Sequence, residues 1–162
     1  MKAGGILGMA RGALQKDTPL MFRQVTETLY VAPQISVADI VEAKALGVTM
    51  VVNNRPEGEE PGQPTGAEIE AAATAAGLSY AAVPVTHAGF APWQLDGMDA
   101  ALEQAGDGKV LAFCRSGTRS TLLWALTRAR AGDDADALAG QAAAAGYDLS
   151  PIRQIMDAVR GG

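Results

Sequence analysis

The chain has 162 residues, 48% hydrophobic and 19% charged, the make-up of one globular domain rather than a disordered or fibrous chain. Its formal net charge of −5 argues against a general nucleic-acid binder, and no apolar run approaches the roughly 20 residues that span a bilayer. One cysteine cannot close an internal disulfide; it suits a reducing, cytoplasmic setting and is a candidate nucleophile.

Residues 1–21 read as an extension outside the domain. Lys2, Arg11 and Lys16 all come before the first acidic residue, Asp17, and Gly4, Gly5, Gly8 and Gly12 break the apolar pieces too often for a signal sequence. The stretch is either disordered or the result of a start assigned ahead of Met21, with a targeting or interaction helix as the other reading. Residues 22–162 form the single domain.

Phe22–Val25 and Leu29–Ala32 are predicted as short strands around a polar turn, the second stopped by Pro33. Ser36 caps a helix from Val37 to about Leu46, closed by Gly47. Val48–Asn53 is β-branched and nearly continuous in apolar residues, as a strand buried on both faces is. Asn54–Pro64 has three prolines and two glycines and must be a loop. Thr65 or Gly66 then starts a helix over Ala67–Ala76. Tyr80–Val85 is the next strand, Thr86–Pro92 a loop, and Trp93–Ala105 a helix. A strand over Lys109–Phe113 leads into a small-residue loop and a helical pattern from Thr121 to about Ala131. Asp133 or Asp134 starts another helix to Ala145, and Ser150-Pro151 starts the last. Strands alternating with helices imply an α/β fold with a mainly parallel central sheet flanked by helices. Trp93 and Trp124 are both expected in the core.

The loop Cys114-Arg115-Ser116-Gly117-Thr118-Arg119-Ser120 carries the chemistry. Nucleophilic sulfur works as the thiolate, which a helix N-terminus and nearby arginines stabilise. Ser116, Gly117 and Thr118 are small enough to curl the backbone and aim N–H groups inward as a nest for anions, with Gly117 free to take a positive φ. Arg119 offers a fork that matches an oxyanion. Ser120 is placed to donate to the sulfur, and Arg115 to point outward as an electrostatic attractor. The bland alternative is a buried cysteine acting as a small hydrophobe. The phosphate-binding motif Gly-x4-Gly-Lys-Ser/Thr is absent. In the Asn54–Pro64 loop, Arg55 is expected either to hold an anionic substrate or to brace the Cys loop through Glu57, Glu59 or Glu60; a turn-rich loop with solvated charges is the alternative.

Cys114–Arg119 resembles the active-site loop of rhodanese sulfurtransferases, which often reads Cys-Arg-Ser-Gly-x-Arg. The wider chain is similar to the phosphatase-like domain of the beta-lactamase-hydrolase-like family through Leu29–Ser36, Val52–Pro64 and the Cys114 loop running into Thr121–Trp124. The resemblance spans roughly Phe22–Val159. It implies a protein-tyrosine/dual-specificity-phosphatase-like fold, with the Cys loop between the last strand and its helix. It also implies a bacterial setting in sulfide and persulfide detoxification, with a persulfide dioxygenase as functional partner. No cofactor and no metal site is expected.

Two chemistries compete. Protein-tyrosine-type phosphatases have five residues between Cys and Arg, a His before the Cys, and an Asp general acid in the loop some thirty residues upstream. Here four residues separate Cys114 from Arg119, Phe113 precedes the Cys, and Thr86–Pro92 holds no Asp or Glu. His87 is its one titratable group, a candidate acid or substrate contact. The sequence reading therefore favours a cysteine-dependent sulfurtransferase carrying sulfane sulfur from thiosulfate or a persulfide on Cys114. A cysteine phosphatase acting through phosphocysteine is the alternative, and a non-catalytic anion or persulfide sensor the third.

Overall fold

A computed structural model describes residues 21–161; the expectations for the N-terminal extension, Met21 aside, lie outside them. In chain order the elements are β1 (Arg23–Thr26), β2 (Leu29–Ala32), α1 (Val37–Ala45), β3 (Val48–Asn53), α2 (Gly66–Ala75), β4 (Ser79–Ala82), α3 (Pro92–Ala105), β5 (Lys109–Phe113), α4 (Thr118–Arg130), α5 (Ala135–Ala144), a 3-10 turn (Ser150–Ile152) and α6 (Arg153–Val159). The five strands form one sheet in the order β1-β2-β5-β3-β4. β1 pairs antiparallel with β2, and the other pairings are parallel. The expected mainly parallel sheet is therefore present.

Alternation along the strands divides the core in two. Tyr30, Val51, Leu111 and Phe113 face Ile40 and Ala43 of α1 and Ile69 and Ala73 of α2. Leu29, Val31, Met50, Val52, Val110 and Ala112 face α3 to α6 through Leu95, Met98, Leu123, Trp124, Leu138 and Met156. Trp124 packs there as expected. Trp93 does not: it is 55% exposed, because the first turn of α3 after Pro92 turns that side chain outward and buries Gln94 and Leu95 instead.

Three local differences from the sequence expectations shape the site. β4 is shorter than Tyr80–Val85, because its register breaks at the end of β3, where two residues of this segment advance against one of β3. The chain nevertheless keeps beside β3: Val83 N–H donates to the Asn53 carbonyl and Val85 N–H to that of Asn54, both at 2.9 Å. Helix α4 begins at Thr118, three residues earlier than the apolar pattern indicates, so Arg119 and Ser120 sit in its first turn. Glu57 is taken up in capping α2, its carboxylate accepting Gly66 N–H at 2.8 Å beside the reciprocal Thr65–Glu68 capping pair.

The strand register explains why one edge of the molecule gathers the functional loops. Ala32, Phe113, Asn53 and Ala82 are paired in a row across β2, β5, β3 and β4, each the last residue of its strand. The loops that follow carry Gln34, Cys114, Arg55 and His87. Ligands of open α/β sheets bind at this end of the strands.

Candidate active site

Cys114 leaves the central strand, its N–H donating to the Ala32 carbonyl at 3.3 Å. The chain then reverses at Gly117, whose φ of +90° is the left-handed turn expected of it. That turn brings Gly117 N–H back onto Cys114 Sγ at 3.0 Å. Ser116 Oγ donates to Thr118 Oγ1 at 3.1 Å and closes the outer side of the loop. Cys114 is fully buried, which a merely structural cysteine would share. The directed N–H and a guanidinium beside the sulfur are what distinguish it.

That guanidinium is Arg119. Nη1 donates to Glu59 Oε2 and to the Val85 carbonyl, both at 2.7 Å, and Nη2 donates to Glu59 Oε1 at 2.9 Å. These bonds use three of the five N–H groups. The other two, on Nε and Nη2, form the side-on edge of the fork, and no oxygen of the described residues takes them. The hydrogen bonds that Arg119 donates to Glu59 hold it above its ordinary pKa, and the Cys114 sulfur adds to the effect.

Glu59 also accepts from Arg55 Nε at 2.8 Å, so one carboxylate bridges two arginines. Arg55 further donates from Nη1 to Gln34 Oε1 at 3.1 Å and from Nη2 to Glu60 Oε1 at 3.0 Å. Its side chain is 1% exposed. This corrects one of its two expected roles: Arg55 is buried and braces three neighbours, and its burial closes it to a substrate. Burial pulls its pKa down, but the bonds to Glu59 and Glu60 outweigh that and leave it raised.

The bond from Arg119, reinforced by Arg55, pulls Glu59 down from 4.5 to about 2 against the opposing effect of burial. A carboxylate depressed in the folded state stabilises the fold in full above its unfolded value and loses that contribution as pH falls through the folded one. The window is therefore about 4.5 down to about 2. Acid unfolding followed by fluorescence of buried Trp124 should show a steep limb in that window, flattened in Glu59→Gln. An unchanged limb in that variant would refute the linkage.

The remaining expected residues are placed as follows. Arg115 points outward, 68% exposed, with Nη2 3.6 Å from Glu60 Oε2. His87 is exposed and, with Glu59, Phe90, Arg115, Arg119 and Leu122, lines an open cavity of about 600 Å³ beside the loop. Ser120 departs from expectation: its hydroxyl is buried in the first turn of α4 with no hydrogen-bond partner, so it does not donate to the sulfur here. Val85, Gln34 and Asn54 were not anticipated. Asn54 Nδ2 donates to the Val83 carbonyl at 2.8 Å and fixes the segment whose Val85 carbonyl holds Arg119. Among the described residues no cluster of three or more His, Cys, Asp or Glu could hold a metal, and no helix is long and apolar enough to cross a membrane.

Residues 21–131 match the family described as beta-lactamase hydrolase-like protein, phosphatase-like domain. The chain belongs to that family. The beta-lactamase hydrolase-like protein of Agrobacterium fabrum is 35% identical over 106 residues, which is 65% of this chain and 24% of that protein. The chain thus spans about a quarter of the length of that relative. A candidate phosphatase from Neisseria meningitidis Z2491, solved by crystallography, superposes with a TM-score of 0.75 at 33% identity, over 88% of this chain and 100% of that one. A mouse candidate dual-specificity phosphatase, crystallised with zinc tungstate, gives 0.65 at 20% identity over 89% and 88%, a likeness of fold alone. The phosphatase-like fold and the beta-lactamase hydrolase-like family read from the sequence therefore stand. Of these proteins, the Neisseria one at 33% identity is described as a candidate phosphatase, and none is described as a sulfurtransferase.

Proposed function

We propose that this phosphatase-like domain takes a group from a small anionic donor through a covalent adduct on Cys114, and that the group is sulfane sulfur. The observation that carries the reading is the tightness of the loop. Four residues separate Cys114 from Arg119, and the Gly117 N–H points at the sulfur itself. A phosphocysteine needs room and donors for three equatorial oxygens; a persulfide needs room for one further sulfur. The Thr86–Pro92 loop also supplies no carboxylic acid to protonate an alkoxide leaving group, whereas sulfite and thiolates leave as anions.

In this scheme the Cys114 thiolate attacks the outer sulfur of thiosulfate or of a low-molecular-weight persulfide from the Arg119 side. A new S–S bond forms, the old one breaks, and sulfite or the donor thiolate departs with its electron pair. An acceptor thiolate then attacks the outer sulfur of the Cys114 persulfide and regenerates the enzyme thiolate, with no external oxidant or reductant. The edge of Arg119 not bound to Glu59 or Val85, beside the Cys114 sulfur, and the N–H groups at the start of α4 stabilise the departing anion. Arg115, Ser116 and Thr118 form the mouth of the loop. A cytoplasmic place in sulfide and persulfide detoxification, next to a persulfide dioxygenase, belongs to the same proposal.

Phosphoryl transfer is the second reading. It is supported by the comparisons and by His87, which shares the cavity with Arg119. One experiment separates the two. The protein is incubated with thiosulfate or glutathione persulfide, and separately with an aryl phosphate. Sulfur transfer predicts a mass gain of one sulfur atom, lost in Cys114→Ser. Aryl phosphate turnover without that gain would establish the phosphatase, and inertness toward both would leave a sensor.

A further inference from the structure

The family match ends at residue 131, yet a residue beyond it reaches the Cys loop. Helix α5 ends at Ala144, and Gly146 takes φ +96°. Gly146 N–H donates to the Ala143 carbonyl at 2.9 Å and Tyr147 N–H to that of Ala142 at 2.8 Å, the paired bonds of a Schellman motif. Arg23 of β1 adds a bond from Nη1 to the Ala145 carbonyl at 3.1 Å, tying this helix end to the sheet edge. The backbone of Tyr147 is therefore set by its own cap and by the sheet.

From there the side chain lies across the loop. Tyr147 Oη donates to the Ser116 carbonyl at 3.3 Å. It also fills the space over Gly117: a Cβ added at Gly117 would overlap the Tyr147 hydroxyl. The Ser116 carbonyl and the Gly117 N–H belong to one peptide unit. Holding that carbonyl from outside fixes the direction of the N–H on the other side, which is the one that meets Cys114 Sγ.

We infer that Tyr147 is a positioning residue for Cys114: by gripping the Ser116–Gly117 peptide it keeps the Gly117 N–H aimed at the sulfur. It touches neither substrate nor reacting atoms. The role is the same whichever group is transferred, because it concerns the sulfur before attack.

The test compares the full-length protein with Tyr147→Phe, which keeps the ring and removes the hydroxyl, and Tyr147→Leu, which removes both. Two rates are read per folded molecule: alkylation of Cys114 by iodoacetamide, and turnover with thiosulfate. Tyr147→Phe is expected to keep its Tm, to lose about fivefold in alkylation rate and in kcat, and to leave KM within twofold, the effect of one neutral hydrogen bond. Tyr147→Leu is expected to lose more in both rates. An alkylation rate of Tyr147→Phe within twofold of the parent overturns the inference, whatever happens to Tm. Absence of thiosulfate turnover in the parent counts against sulfur transfer alone, since alkylation still reads Tyr147.

Discussion

Arg119→Lys is expected to lower kcat/KM for group transfer by roughly 100- to 1000-fold, the range for losing a preorganised donor to a developing anion. The reason lies in the division of labour within the guanidinium. Three N–H groups fasten it to Glu59 and the Val85 carbonyl, and the side-on pair is left for the anion. An ammonium has three donors on one atom and no planar fork. It can keep the Glu59 contact or face the leaving group, but not both with the same geometry. The charge is conserved, so a loss of this size would come from geometry. Steady-state kinetics decide it: kcat should carry most of the fall. A rise in KM with kcat intact would mean that Arg119 only binds the ground state, and the proposed stabilisation of the departing anion would be wrong.

Arg55→Met is expected to cost about 1.5–3 kcal/mol of stability, the range for losing hydrogen bonds to charged groups. At this chain size that lowers Tm by roughly 3–12 °C. Most of the loss comes through Glu59, because the Glu60 side chain is 45% exposed and water replaces that contact cheaply. Glu59 keeps Arg119 but loses its second cation, and Gln34 loses the Nη1 donor that ties the β2 loop to the β3 loop. Calorimetry of the variant checks the magnitude. A substrate-binding Arg55 would behave oppositely, holding Tm and raising KM, and that outcome would reject the bracing role.

Much of the fold was legible in local pattern. The β-branched run Val48–Asn53, the Ser36 and Thr65 caps and the glycines after helices state their structure within a few residues, because propensity and capping are short-range effects. β4 was over-extended because its apolar pattern continues past Ala82, where the register against β3 breaks: Val83 N–H meets Asn53 and Val85 N–H meets Asn54. Trp93 was misplaced because large aromatic residues are usually buried, while the entry angle of α3 was set by packing of Gln94 and Leu95.

For the site, the sequence by itself determined the Cys114–Arg119 spacing, the left-handed turn at Gly117 and the absence of an acid in Thr86–Pro92. These are covalent or near-covalent facts: loop length, a missing Cβ, a missing carboxyl. Only the tertiary structure decided how the charges divide. Arg55 and Glu59 lie 60 or more residues before Arg119, and the row Ala32, Phe113, Asn53 and Ala82 brings them to one edge. Which of Glu57, Glu59 and Glu60 would meet which arginine was open in the sequence, since all three are within reach of the loop. Burial settled it: Glu57 was drawn off to the α2 N-terminus, Glu60 stayed at the rim, and Glu59 was left between two guanidinium groups. Tyr147 had no local signal at all, because its meaning depends on a helix end folding back over a loop whose Ser116 lies 31 residues earlier. Loop chemistry is written in neighbours along the chain; the network that aims it is written in neighbours across the sheet.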